Sequence, residues 1–263
     1  MAIVGEANCV AYAYANSYSG SGDWIDEMGN GHDAAPQAGV AVVDSGSNDY
    51  WDLDGASDRL IVPDNAALDF NGTSFTIGLA CNSDDWGHDV GNDVRLIDKR
   101  AVQGYSITID DSNSDKVTAQ AADDQFDNDV WGTTLNTSQI YSIIMRIDVA
   151  STGEIEIFVD GTGTGSPQAL PGDRDWTNAQ DLGIGGFVAG GGEFDGRIYS
   201  WALLNRALSD AEVSTLSDEL KNQTDPNPSG LSGYWGLRVA SWFLAGTSGL
   251  WLPDTASDLL DMV

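Results

Sequence analysis

Strict alternation of apolar and polar residues, repeated in short runs, constrains this chain more than any other feature. Phe75, Ile77 and Leu79 form one run, Tyr105, Ile107 and Ile109 a second, and Tyr141, Ile143, Met145 and Ile147 a third. Successive side chains on a strand point to opposite faces, so each run predicts an extended segment with one face buried and the other wet. A fourth run, Ile155, Ile157 and Val159, leads straight into Asp160 and Gly161, a pair that accepts the positive φ of a tight hairpin. The intervening stretches, such as NSDDWGHDVGNDV from Asn82, are rich in Gly, Asp, Asn and Ser and read as loops. Short strands joined by polar loops argue for an antiparallel sandwich or jelly roll. Cys81 continues the inward phase of Phe75, Ile77 and Leu79, which makes it a buried thiol; one bridge to Cys9 is the alternative.

One segment has the helical period instead. Ser209 with Glu212 three residues on forms a capping box, and Val213, Leu216 and Leu220 give a single apolar stripe, predicting a short helix near residues 209–221. Pro226, Pro228 and Gly230 then end the regular pattern, which places a boundary between residues 1–221 and a tail at 222–263. Trp235, Trp242, Phe243 and Trp251 crowd this tail. It reads either as a cover for an open sheet edge or as a docking segment for another copy or another protein.

Charge narrows the partners. The net charge is −30, from 34 Asp and seven Glu against eight Arg and three Lys. No basic face for phosphates can be assembled from so few cations, which excludes nucleic acid as a partner. Self-repulsion of this size is relieved in strong salt, so saline surroundings fit. No apolar run approaches the roughly 20 residues that span a bilayer, so membrane insertion is not expected. MAIVGEANCV lacks the basic and apolar regions of a signal peptide, and none is read.

Five pieces in order resemble one family. DEMGNGHDA (Asp26 to Ala34), LIVPDNAALDFNGTSFTIGLACNSDDW (Leu60 to Trp86), LIDKRAVQGYSITID, LNTSQIYSIIMRIDVASTGEIEIFVDG and FDGRIYSWALLNRALSDAEVSTL (Phe194 to Leu216) resemble successive segments of the laminin-G-like, concanavalin A-like lectin/glucanase domains. Together they cover roughly residues 8 to 221. The resemblance implies an all-β jelly-roll sandwich of two curved antiparallel sheets, with the short helix as a clip outside it. It implies no single activity, because the fold hosts lectins, adhesion modules, hydrolases and structural domains.

The resemblance also suggests a calcium ion held between the early loop, here Asn30 and Asp33, and acids on the closing strand. That strand departs from the family: Ile198, Tyr199, Ser200 and Trp201 stand where isoleucine, aspartate, glutamate and valine are usual. Both acids are gone, which weakens the expectation of a metal. A retaining glycosidase needs two carboxylates on one strand face roughly 5 to 5.5 Å apart, and Glu154 with Glu156 is the nearest pair; no catalytic residue is assigned. Glycan recognition asks for aromatic platforms beside polar loops, and Trp86, Trp131 and Trp176, each flanked by Asp and Gly, are the candidates. Buried plugs at the rim of the sandwich are the alternative for these three.

The expected function is a non-enzymatic structural or adhesion module on the exterior of a virus particle, with possible glycan affinity. Its partners would be other virion proteins or copies of itself, engaged through the tail, and a cell-surface glycan. A stand-alone lectin is the alternative, and a glucanase-type glycoside hydrolase the second.

Overall fold

The computed structural model describes residues 3–224 apart from 19–21, 46–47, 87–92, 102, 111, 113, 123–126 and 171–173. The tail residues Trp235, Trp242, Phe243 and Trp251 lie outside the described residues, as does all of the expected tail from residue 225 on. In chain order the strands are β1 (Cys9–Tyr14), β2 (Ala35–Gln37), β3 (Ala41–Val43), β4 (Tyr50–Asp54), β5 (Arg59–Val62), β6 (Phe75–Asn82), β7 (Val94–Arg100) and β8 (Gly104–Asp110). They continue as β9 (Lys116–Ala122), β10 (Asp127–Thr134), β11 (Tyr141–Asp148), β12 (Glu154–Val159), β13 (Thr162–Ala169), β14 (Leu182–Ile184) and β15 (Asp195–Leu204), before the helix α1 (Asp210–Asn222).

All pairings are antiparallel, and they build two sheets. The first runs β13-β12-β11-β6-β15-β4-β3, with β1 pairing the second half of β15; the second runs β10-β9-β8-β7-β14-β5-β2. This is the jelly-roll sandwich, and the alternating runs explain it. Phe75, Ile77, Leu79, Tyr105, Ile107, Ile109, Ile143, Met145, Ile155 and Ile157 all point between the sheets and are almost wholly buried. Burying one such side chain stabilises the fold by about 1.5–3 kcal/mol, so the inner faces supply most of the driving force.

The outer face of the first sheet carries a second apolar cluster. Tyr12, Ala80, Ile144, Phe158, Tyr199, Ala202 and Leu204 pack there beneath Val213, Leu216 and Leu220, the predicted stripe of α1. The helix begins where the capping box requires, with the Ser209 backbone N–H donating to Glu212 Oε2 at 2.8 Å. Arg146 fastens its first turn to the sheet, donating to Glu156 Oε2, to the Leu208 carbonyl and to Asp210 Oδ1. At the other end Glu219 accepts from the Ile3 and Val4 backbone N–H groups at 2.9 to 3.1 Å, clamping the start of the described chain onto the helix.

The β12–β13 hairpin turns at Asp160 (φ 50°) and Gly161 (φ 72°), as the sequence indicates. Gly161 is required twice, since a Cβ there would also approach the Ser214 Cα to 2.9 Å. Lys99 is a fully buried cation: its Nζ donates to Asp64 Oδ1 and to the Asn178 and Gln180 carbonyls, and pairs with Asp69 Oδ1 at 3.0 Å. Cys9 and Cys81 are both free and buried, so the thiol reading holds over the bridge. Among the described residues no helix is long and apolar enough to cross a membrane.

Candidate functional site

Two of the three predicted platforms are core residues, and this is a correction. Trp86 is 3% exposed, donates from Nε1 to the Asn136 carbonyl at 3.0 Å and packs against Tyr141 and Phe194. Trp176 is 2% exposed and sits edge-on to Phe75. Each belongs to a polar stretch whose backbone stays at the surface while the indole turns inward to close the rim of the sandwich. Neither ring is open to a sugar. Trp131 differs: it is 45% exposed, because β10 places it opposite Thr118 on the outer face of the second sheet.

From β7 to β10 that outer face is polar. One row across the strands reads Asp98, Ser106, Gln120 and Asp129, and the next reads Arg95, Thr108, Thr118 and Trp131. The distance from β7 to β10 is three strand spacings, roughly 14 Å. Trp131 forms one end of this surface with its Nε1 donating to Asp110 Oδ2 at 2.8 Å, which fixes the indole while leaving nearly half the residue in solvent. Gln120 organises the middle. Its Oε1 accepts from Arg100 at 2.7 Å, from Ser106 Oγ at 3.0 Å and from Arg95 at 3.2 Å.

Asp98 is the unusual member. It is 1% exposed, its Oδ2 has no hydrogen-bond partner, and Arg95 Nη1 stops 3.8 Å from its Oδ1. Burial pushes the carboxyl up to about 6 against the opposing pull of Arg95 and of the Arg100 backbone N–H and charge. Thr108, fully buried on the neighbouring strand, likewise has an Oγ1 without a partner. Arg95, Asp98, Thr108 and Gln120 are not among the residues expected from sequence. Ser106, Thr108 and Asp110 are the polar phase of the run Tyr105, Ile107 and Ile109, but only the strand order shows that phase to be continuous with Thr118, Gln120 and Trp131.

The early loop is built around a different centre from the one expected. Asp26 is buried and accepts from the backbone N–H groups of Tyr12, Met28, Asn30 and His32, while its Oδ2 lies 3.4 Å from His32 Nδ1. Burial pushes its carboxyl up, but the His32 ring and these N–H groups outweigh that and hold it below the usual range. Asn30 turns its amide nitrogen to the Val10 carbonyl, and Asp33 Oδ1 accepts from the Asp26 N–H. On the closing strand Tyr199 is buried in the cluster under α1, and Ser200 Oγ donates to the Leu220 carbonyl. The helix covers Tyr199 and Ser200, the positions where the resemblance implies acids. Among the described residues no three His, Cys, Asp or Glu side chains converge on a point, and the Asn30 and Asp33 side chains are bonded to Val10 and Asp26.

Glu156 is held by Arg146 at 2.6 Å, and Arg146 in turn holds α1. A cleft of about 220 Å³ opens beside it, lined by Glu156, Ile157, Gly163, Thr164, Gly165 and Pro167, and Glu154 is not part of that lining. Of the pair only Glu156 lines this cleft, and its carboxylate is taken up by Arg146.

A family model described as the concanavalin A-like lectin/glucanases superfamily matches residues 54–214. Several solved structures share the fold. The binding domain of Paraclostridial Mosquitocidal Protein 1 is 17% identical with a TM-score of 0.65, over 81% of this chain and 52% of that one. Domain 4 of AbnA, a GH43 extracellular arabinanase from Geobacillus stearothermophilus in complex with arabinotriose, is 14% identical with a TM-score of 0.59, over 81% of this chain and 99% of that one. Botulinum neurotoxin type C, which depends upon interaction with two ganglioside molecules to get into cells, is 12% identical with a TM-score of 0.60, over 81% and 51%. The chain thus spans about half the length of the two toxin structures. No curated protein matches the sequence.

Proposed function

The chain belongs to the concanavalin A-like lectin/glucanases superfamily, and we propose that it is a non-catalytic carbohydrate-binding module whose site is the outer face of the second sheet. The observation that carries this is Trp131, a tethered indole left 45% exposed at the edge of a row of hydroxyl, amide and carboxyl side chains. A sugar offers an apolar ring face and a rim of hydroxyls, and such a surface is complementary to both. Solved relatives in complex with arabinotriose or dependent on gangliosides support the reading. No metal is part of this reading, since the Asn30 amide donates to the Val10 carbonyl and Asp33 accepts from the Asp26 N–H.

A glycan array tests this directly. The intact chain should bind one class of oligosaccharide, and Trp131→Ala should weaken that binding about tenfold or more while leaving the fold intact. Failure to bind any glycan would overturn the proposal. Hydrolysis of a β-glucan that disappears in Glu154→Gln or Glu156→Gln would overturn its non-catalytic part.

The proposed setting is the exterior of a virus particle, with the aromatic tail as the docking segment. Composition supports this part, since an acidic, Lys-poor surface suits saline surroundings. Neighbouring capsid, portal or tail genes would support it. Neighbouring polysaccharide-utilisation genes would favour a lectin acting alone.

A further inference from the structure

Two polar atoms in the middle of the outer face satisfy nothing within the protein. Buried polar groups are paired in the great majority of cases, because leaving one unpaired forfeits its hydrogen bonds to water. Asp98 Oδ2 and Thr108 Oγ1 are both in that condition, in residues 1% and 0% exposed. They are neighbours. Asp98 pairs in register with Ser106, and Thr108 stands two residues along the same face of β8, a diagonal separation of about 7 Å between backbone positions.

Arg95 stands beside this pair. It is the register partner of Thr108, its side chain is 25% exposed, it donates to Gln120 at 3.2 Å, and it lies 3.8 Å from Asp98 and 3.9 Å from Asp93. Arg100, by contrast, holds Gln120 at 2.7 Å.

We infer that Asp98 and Thr108 become binding residues for a neutral sugar when the partly exposed Arg95 arm swings off them, with Asp98 Oδ2 accepting from one ring hydroxyl and Thr108 Oγ1 exchanging a hydrogen bond with a second. This rests on the carbohydrate-binding reading of the same face and adds the class of ligand. Neutrality follows from the charge pattern. A carboxylated or sulfated glycan would bring an anion against Asp98 on a chain of net charge −30, while the two nearby arginines already serve Gln120. The raised carboxyl of Asp98 marks a group held in the fold against its own solvation, a pattern found where a side chain is kept for a ligand.

The test is titration calorimetry of the full chain with arabinotriose, cellotriose, laminaritriose and, as the anionic counterpart, sialyllactose. Asp98→Asn and Thr108→Val should each lower the affinity for the neutral trisaccharide that binds by about tenfold or more. Circular dichroism should remain that of the wild type. If both variants bind within about twofold of wild type while Trp131→Ala has lost binding, the inference falls and the carbohydrate-binding reading stands. Tighter binding of sialyllactose than of any neutral sugar also overturns the inference alone. Absence of binding by the wild type, on these sugars and on the wider array, overturns both.

Discussion

Replacing Asp98 by Asn should make this protein more stable, and by an amount that depends on pH. In the fold the carboxyl titrates at about 6, against 3.8 for the unperturbed group. Below both values Asp98 is protonated in folded and unfolded chains alike, and its titration costs nothing. As pH rises from about 4 to about 6 the unfolded chain releases its proton while the fold retains one, so stability falls. Above about 6 the penalty is constant. A difference of roughly two units at 1.36 kcal/mol each makes it about 3 kcal/mol. Asn carries no charge and escapes this cost, so Asp98→Asn should raise the unfolding free energy by about 3 kcal/mol near pH 7 and by almost nothing near pH 3.5. For a domain of this size that corresponds to a Tm higher by about 6–12 °C. Urea unfolding followed by Trp fluorescence at both pH values gives the comparison, and the difference between variant and wild type cancels the titration of the other acids. The groups facing Asp98 are Arg95 and Arg100 from its own strand, the uncharged Ser106 on β8 and Gly183 on β14. A variant that is equally or less stable near neutral pH, or whose gain does not change with pH, would refute the reasoning.

Other outcomes follow from features elsewhere in the fold. Lys99→Met should cost about 3 kcal/mol in urea unfolding, the lower end for breaking a buried ion pair, because Asp64 and Asp69 keep some access to water. Raising NaCl from about 0.1 to about 1 M shortens the Debye length from roughly 10 to roughly 3 Å and should raise the Tm of a chain this acidic; a flat or falling Tm would contradict the self-repulsion argument. Burial, then the charges of Asp26, Glu219 and Glu6, pushes the Cys9 thiol up to about 12, and burial pushes Cys81 up further. Neither thiol should react with an aromatic disulfide reagent at about pH 8 in the native protein, and both should react in concentrated guanidinium.

Much of the fold was legible because its signals are local. The alternating runs became β6, β8, β11 and β12, the Asp160-Gly161 pair made its turn, and the capping box set the start of α1, which ends at Asn222, one residue past the expected position. The platforms were less legible because flanking acids and glycines report where the backbone runs, not where an indole points. Trp86 and Trp131 have similar neighbours in sequence, yet one plugs the core and the other faces solvent. Asp98 was hidden by a register shift in β7: Leu96 and Ile97 both enter the core, so simple alternation misplaces everything after them. The loss of acids from the closing strand was visible, but its cause was not. Tyr199 and Ser200 lie under α1, where a carboxylate would lose its water.

The bond between Glu219 and the backbone of Ile3 and Val4 has an architectural consequence. It brings the two ends of the sandwich to one place on its surface, far along the chain but adjacent in space. A unit whose entrance and exit coincide can be spliced into a surface loop of an unrelated host protein with little distortion of either.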